Sequence, residues 1–197
     1  MLKVIFERLP MRQLIYLAVF RNKKYLKFLE LFFSSIVLFN QDCLVNTDFL
    51  VITEKDFVEE IQQIGRSLGI AVHCWVLPEV SYAFATMIQR YMLPSWSYFF
   101  KYTHILYCDT DILIANGLQR FFTLLEDPTK FYTLKEGTLE HEYWGGDAVF
   151  DFKGIDSEID PNTPGVCAGV FLFQPNEHTV KIFQEINKFI YKKMATP

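Results

Sequence analysis

The chain alternates short, mainly apolar runs with longer stretches in which apolar residues recur at helical spacing. Strands are predicted at residues 14–20, 49–53, 70–77, 104–108, 130–134 and 166–173. Helices are predicted at residues 25–39, 57–68, 82–93, 118–125 and 179–191. Strands that are apolar throughout are buried on both faces, and strands that alternate with helices run parallel. The pattern therefore predicts an α/β fold with a central mixed, mostly parallel sheet and helices on both faces.

Length and charge exclude several classes of protein. The 197 residues, 51% of them apolar, suffice for one substantial core, whereas two full domains would be cramped. We therefore expect a single domain over residues 1–197. The formal net charge is −4, and a nucleic-acid-binding protein would need a basic surface. No nucleic-acid partner is expected.

Cysteine spacing and apolar runs bear on the cellular location. Four cysteines stand singly, at positions 43, 74, 108 and 167, so neither a disulfide scaffold nor a zinc site is expected. The first ten residues lack the uninterrupted apolar stretch of a signal peptide, because Lys3, Glu7, Arg8 and Pro10 break them. The longest apolar run, residues 28–39, contains Glu30 and is too short to span a bilayer. These features predict a soluble, cytoplasmic protein without a transmembrane segment.

A long acidic segment separates two of the predicted strands. Residues 136–165 have little periodicity and carry eight acidic residues and one lysine. A connection of this length is either a solvated surface loop or a functional flap over a cleft. Within it, Asp147 follows two glycines and is the candidate catalytic acid, with a simple turn aspartate as the alternative.

The most informative stretch is residues 105–114, where an apolar strand runs directly into Asp109, Thr110 and Asp111. A parallel sheet binds ligands beyond the carboxyl ends of its strands, which is where this D-x-D sequence lies. Carboxylates are hard oxygen ligands that suit Mg²⁺ or Mn²⁺. The pair is therefore a candidate metal site, and an Asp-capped turn is the alternative.

Other catalytic sequence motifs are absent. The chain contains no P-loop, no G-x-G-x-x-G and no G-x-S-x-G. His141 and Glu142 are adjacent, but no second histidine follows at metalloprotease spacing. His73 and His104 fall in predicted strands and are interpreted as core or edge residues.

Four segments, taken in order, resemble one family. Residues 107–114, YCDTDILI, are similar to the D-x-D strand of GT-A-fold glycosyltransferases, and within these most similar to glycosyltransferase family 8, the glycogenin and galactosyltransferase group. Residues 20–25 (FRNKKY) resemble its first strand-to-helix turn, and residues 89–94 (QRYMLP) resemble the helix before the D-x-D strand in bacterial members. Residues 166–175 (VCAGVFLFQP) are close to the glycogenin segment FNSGVFVYQP.

The resemblance implies roles for the matched positions. Asn22 and Tyr25 would hold the nucleotide base, with Tyr25 stacked on uracil. Arg90 would pair with the diphosphate as an always-charged fork. Asp109 would contact the ribose and the metal, and Asp111 would bind the metal. The alternatives are a core-facing ring for Tyr25 and a solvated cation for Arg90.

The donor sugar would lie against the segment that precedes the last helix. Ala168 and Gly169 would let the sugar approach the backbone closely, which glycine permits. Cys167 belongs to the same donor site but stands where glycogenins carry Asn. The chain also stops at Pro197, before the D-Q segment and the later metal-binding histidine of the family. The sequence is therefore expected to lack the family's C-terminal segment.

The resemblance implies a GT-A, Rossmann-like nucleotide-diphospho-sugar transferase. It would transfer a hexose from a UDP-sugar to the hydroxyl of a carbohydrate or protein-glycan acceptor, with retention and with Mn²⁺ (or Mg²⁺) as cofactor. One alternative is a non-catalytic nucleotide-sugar-binding domain. Another is a nucleotidyltransferase, although residues 21–24 lack the glycines of its first loop. The released product, UDP or pyrophosphate, separates the two enzymes.

Overall fold

The computed structural model describes residues 12–78, 88–138, 160 and 162–194. Its described strands form one six-stranded sheet with the order β3-β2-β1-β4-β6-β5. The strands are β1 (Gln13–Val19), β2 (Thr47–Thr53), β3 (Val72–Val76), β4 (His104–Cys108), β5 (Tyr132–Thr138) and β6 (Pro164–Phe173). The mixed, mostly parallel α/β sheet predicted from the sequence is thereby confirmed.

Strands β1 to β4 run parallel, and β6 is antiparallel to both β4 and β5. The register places Gln13 beside Thr47 of β2 on one side and beside His104 of β4 on the other. The carboxyl ends of β1 and β4 consequently lie next to each other at one edge of the sheet. This edge is where an open α/β sheet binds its ligands.

Helices alternate with strands along the chain, as the periodicity predicted. The described helices are α1 (Lys24–Phe39), α2 (Val58–Ser67), α3 (Leu118–Phe122) and α4 (Glu177–Met194). Helix α1 turns its buried residues, among them Leu29 and Phe33, to the sheet face that also carries Ile15 and Val51. Burying a side chain of this size stabilises the fold by about 1.5–3 kcal/mol.

The opposite face of the sheet is covered mainly by aromatic side chains. Tyr107 stacks on Phe171 with ring centroids 4.8 Å apart, and Phe173 meets Phe183 of α4 at 5.3 Å. Aromatic pairs in these arrangements contribute about 0.5–1.5 kcal/mol beyond the area they bury. The helices on both faces that the apolar strands predicted are therefore present.

Several predicted boundaries were wrong. Residues 89–93 of the predicted helix 82–93 belong to a 3₁₀ helix, Gln89–Ser95, which contains Pro94, a residue without the N–H that an α-helical bond needs. Residues 82–87 lie outside the described part. Helix α3 stops at Phe122 instead of residue 125. The segment 136–165 was predicted as a loop throughout, yet its two ends belong to β5 and β6.

The structure also bears on the cysteines and on membrane spanning. All four cysteines are free thiols. Within the described residues, no helix combines the length and the apolar character needed to cross a bilayer.

Helix α2 approaches strand β3 through Gly65. A Cβ atom at Gly65 would lie 2.8 Å from the Ile70 carbonyl oxygen and 2.7 Å from Val72 Cγ2. Because the first of these contacts is with backbone, it cannot be relieved by a rotamer change. Helix α2 and strand β3 can therefore pack this closely only because glycine has no side chain at position 65.

We predict that Gly65→Ala lowers the free energy of unfolding by about 1–3 kcal/mol, since overpacking outweighs the better helix propensity of alanine. Denaturant unfolding followed by circular dichroism measures the change. The exposed Gln62→Ala on the same helix is the matched control and should stay within about 0.5 kcal/mol of the wild type. A Gly65→Ala protein as stable as the wild type would contradict the close approach.

Candidate functional site

A cleft of about 190 Å³ opens at the carboxyl ends of β1 and β4. It is lined by Ala18, Phe20, Tyr25, Arg90, Tyr107, Asp109, Thr110 and Asp111. The cleft thus brings together four residues that the sequence analysis selected at separate positions: Tyr25, Arg90, Asp109 and Asp111. The cleft lies where a parallel sheet presents its strand ends, which is the expected place for a ligand.

Asp109 is the first residue beyond β4. Its backbone N–H donates to the Gly169 carbonyl at 2.7 Å, which extends the β4–β6 pairing by one step. Its carboxylate is partly buried, with 36% of the side chain exposed. Asp111 follows after a turn in which the Ile112 N–H donates to the Asp109 carbonyl at 3.3 Å, and its side chain is exposed. Both carboxylates therefore reach the cleft.

Arg90 reaches the cleft from the 3₁₀ helix on the aromatic face. Its Nη1 lies 3.2 Å from Asp109 Oδ1 and donates to the Ala168 carbonyl at 2.8 Å. Its Cζ atom stands 5.1 Å from the centroid of the Tyr107 ring, a cation–π contact. Burial acts to lower the pKa of Arg90, but Tyr107 and Asp109 outweigh it and the net shift is upward. The side chain is therefore a fixed cation and not a solvated one.

Tyr107 is a site residue that the sequence analysis missed. Its hydroxyl donates to Asp109 Oδ1, and the ring is buried. Burial raises the pKa of Tyr107 well above its usual value, so the hydroxyl keeps its proton and remains a donor. The available signal was strand periodicity, because a residue two positions before Asp109 on β4 points to the same face of the sheet.

Gly169 lies against the carboxylate of Asp109. A Cβ atom on Gly169 would stand 2.9 Å from Asp109 Oδ2, closer than carbon and oxygen tolerate. The same Cβ position is 3.6 Å from Cys167 Sγ, which places that thiol beside the site. Burial raises the pKa of Cys167, so its sulfur stays a neutral thiol near neutral pH. The β6 segment thus supplies a small residue and a weak hydrogen-bonding group.

The turn between β1 and α1 positions the two residues matched to base binding. Asn22 Oδ1 accepts from the Lys24 N–H at 3.0 Å, which satisfies one of the free donors at the start of the helix. Arg21 before it has φ of 63°, a left-handed conformation. Tyr25 is 38% exposed and lines the cleft, so its ring does not face the core. Asn22 is exposed beside the cleft but is not among its lining residues.

Asp147 and His141 lie outside the described residues. Of the other histidines, His73 and His178 are exposed, and His104 is half-buried at the start of β4. Burial lowers the pKa of His104.

The described residues contain no group of three or more His, Cys, Asp or Glu side chains that could hold a metal ion by themselves. The two carboxylates of the cleft still suit Mg²⁺ or Mn²⁺. Mg²⁺ is usually held by one or two carboxylates together with water and substrate phosphates. Asp109 Oδ2 and the exposed Asp111 are oxygen donors of that kind.

Comparison with known proteins identifies the family of the chain. The family model "Glycosyl transferase family 8" matches residues 16–195. No curated protein sequence matches the chain.

The solved structures of similar fold include those of three glycosyltransferases. The apo form of the glycosyltransferase GlyE of Streptococcus pneumoniae TIGR4 has a TM-score of 0.56 at 14% identity, over 95% of this chain and 40% of GlyE. An active-site mutant of LgtC has a TM-score of 0.62 at 14% identity, over 93% and 65% of the two chains. Mouse xyloside xylosyltransferase 1, also an apo form, has a TM-score of 0.55 at 11% identity, over 93% and 74%.

The similarity covers nearly all of this chain, whereas the chain spans 40% of GlyE and 65% of LgtC. At such low identity the structural likeness shows the fold alone. The family model covers most of the chain and carries the assignment. The fold is GT-A, and the chain belongs to glycosyltransferase family 8.

Proposed function

We propose that this protein transfers a hexose from a UDP-sugar to an acceptor hydroxyl, in a metal-dependent reaction that retains the anomeric configuration. The observation that carries the proposal is the convergence of Asp109, Asp111, Arg90 and Tyr25 on one cleft. These residues offer two metal-binding carboxylates, a fixed cation for a diphosphate and an exposed aromatic ring for a base. The cleft thus has a suitable group for each part of a metal–nucleoside diphosphate.

Each side chain has a specific task in this proposal. Tyr25 stacks on the uracil ring, a contact that contributes about 1–3 kcal/mol per base. Arg90 donates to the diphosphate from a position fixed by the Ala168 carbonyl. Asp109 and Asp111 hold Mn²⁺ or Mg²⁺. When bound, the ion neutralises negative charge on the departing diphosphate.

The sugar is proposed to lie against Cys167, Ala168 and Gly169. In the reaction the bond between the anomeric carbon and the diphosphate oxygen breaks, and a bond from the acceptor oxygen to the same carbon forms. The departing phosphate takes the acceptor proton, so no protein base is required. Asp147 is the acid to test if a side chain takes part. The acceptor is proposed to be a carbohydrate or a protein-linked glycan.

The size of the sugar is the least constrained part of the proposal. The mouse structure is named as a xylosyltransferase, so a pentose donor is the alternative to a hexose donor. The weak hydrogen bonding of Cys167 favours a donor that needs no amide at this position. Release of free sugar and UDP from a panel of UDP-sugars identifies the donor, and release of pyrophosphate would instead indicate nucleotidyl transfer.

One prediction from the proposed function concerns Asp111. UDP binding should require Mn²⁺. Asp111→Asn should weaken this UDP binding at least tenfold, because a neutral amide replaces one negatively charged ligand of the metal. Titration calorimetry with and without Mn²⁺ measures both effects. The substitution is nearly isosteric and the side chain is exposed, so stability should not change.

The matched control is Asp42→Asn, which neutralises another exposed aspartate outside the cleft and should bind UDP like the wild type. Metal-independent UDP binding would overturn the metal site. Mn²⁺-dependent UDP binding without hydrolysis of any UDP-sugar and without transfer would favour the non-catalytic binding domain.

Another prediction from the proposed function concerns Gly169. Gly169→Ala should weaken Mn²⁺-dependent UDP binding about tenfold or more, because the new methyl group displaces Asp109 Oδ2. The carboxylate cannot simply turn away, since Tyr107 and Arg90 both hold Oδ1. Calorimetry again gives the affinity, and thermal unfolding shows that the variant is folded.

Gly117→Ala is the control, because it replaces a glycine that does not line the cleft. Gly117 has φ of 74°, and a Cβ there meets nothing within 4 Å. That variant should lose about 1 kcal/mol of stability and keep its UDP affinity. Equal UDP affinities for the Gly169→Ala and wild-type proteins would show that Asp109 Oδ2 is not needed for the nucleotide.

A further inference from the structure

The carboxylate assigned to the metal is already paired with a protein cation. Arg90 Nη1 lies 3.2 Å from Asp109 Oδ1, and the Tyr107 hydroxyl donates to the same oxygen. The other carboxylate oxygen, Oδ2, lies on the side of Gly169. Asp109 therefore meets any incoming cation while one of its oxygens is held by a positive charge.

Arg90 is also held firmly in this position. Its guanidinium donates to the Ala168 carbonyl at 2.8 Å and packs over the Tyr107 ring. Its backbone carbonyl accepts from the Tyr16 hydroxyl at 2.9 Å. Only 11% of the side chain is exposed. The charge consequently stays beside Asp109 instead of moving into solvent.

A fixed positive charge has opposite effects on a bare cation and on a cation bound to diphosphate. Partial burial weakens solvent screening, so a guanidinium this close repels a divalent ion at the same carboxylate. A diphosphate is negatively charged, and it attracts both the guanidinium and the metal ion. When the diphosphate lies between the guanidinium and the metal ion, both cations are attracted to it, and this attraction outweighs the repulsion between them.

We infer that Arg90 makes metal binding depend on the diphosphate: it weakens binding of the free ion to Asp109 and Asp111 and strengthens binding of the ion together with a nucleoside diphosphate. The inference rests on the metal and diphosphate sites of the proposed function and adds the coupling between them. Arg90 acts on the free ion through its charge beside Asp109, and on the ion bound with the nucleotide through its contact with the diphosphate. The donor and its ion then enter the cleft together.

The chain contains a matched set of side chains away from the cleft. Arg12 Nη2 lies 2.9 Å from Asp48 Oδ2, and the Tyr102 hydroxyl donates to the same oxygen at 2.9 Å. Arg12 also stands over the Tyr102 ring, at 5.3 Å from its centroid. This second Arg–Tyr–Asp set lies at the amino ends of the parallel strands, opposite the cleft, and provides the control.

The test compares the wild type with Arg90→Gln, Arg90→Lys and Arg12→Gln. Binding of Mn²⁺ alone is measured from the electron paramagnetic resonance signal of the free ion. Binding of UDP at saturating Mn²⁺ is measured by calorimetry. Glutamine removes the charge of Arg90 and keeps a side-chain N–H donor, whereas lysine keeps the charge without the fork.

Arg90→Gln should bind Mn²⁺ alone about tenfold more tightly than the wild type and UDP about tenfold more weakly. Arg90→Lys should bind Mn²⁺ alone like the wild type, and Arg12→Gln should match the wild type in both measurements. Opposite changes in one variant cannot come from a general loss of structure. The wild type supplies a second measurement that needs no variant, since its affinity for Mn²⁺ should rise at least tenfold with UDP.

Unchanged or weaker binding of Mn²⁺ alone by Arg90→Gln overturns the inference, even if UDP binding falls, because that pattern describes a simple diphosphate ligand. Failure of the wild type to bind UDP with Mn²⁺ refutes the proposed function, whereas tighter binding of Mn²⁺ alone by Arg90→Gln would still support the repulsion of the free ion by Arg90. Absence of Mn²⁺ binding in every variant, with or without UDP, overturns both.

Discussion

Asp109 is held by groups from three parts of the chain, and the geometry of the cleft depends on that carboxylate. Tyr107 on β4 and Arg90 on the 3₁₀ helix hold Oδ1, while Gly169 on β6 leaves room for Oδ2. Burying a carboxylate without partners costs free energy. Removing one of its partners therefore leaves part of the buried charge uncompensated and destabilises the site. The pairing of β4 with β6 and the packing of the 3₁₀ helix therefore act on the site as well as on the fold.

The aromatic face of the sheet connects the core to the cleft. Tyr107 belongs to both, because its ring stacks on Phe171 and its hydroxyl reaches Asp109. Tyr16 likewise packs against Tyr107, with ring centroids 4.9 Å apart, and holds the backbone of Arg90. Close-packed rings have few alternative rotamers, so they fix the polar groups at their edges. The residues that stabilise this half of the core also fix the cation beside Asp109.

The same local chemistry occurs at both ends of the sheet, with different consequences. Arg12, Tyr102 and Asp48 repeat the arrangement of Arg90, Tyr107 and Asp109 at the amino ends of the strands. In the cleft, Asp111 and Tyr25 lie beside the set, and the carboxyl ends of β1 and β4 open to solvent. An Arg–Tyr–Asp set is therefore not a binding site by itself. Its neighbours and its place on the sheet decide what it can bind.

The sequence by itself determined most of the fold and the identity of the two candidate metal ligands. Mainly apolar runs identify the strands, and Asp109 and Asp111 lie just beyond one of them, so their position at the sheet edge follows from local pattern. Helix ends and the segment 136–165 were placed less well, because Pro94 and the pairing of β5 with β6 decide them. Only the tertiary structure brought Arg90 and Gly169 to Asp109 and gave Tyr107 a role there. These contacts join residues up to 60 positions apart, counted from Asp109 to Gly169, and no local periodicity specifies which side chains meet across a sheet.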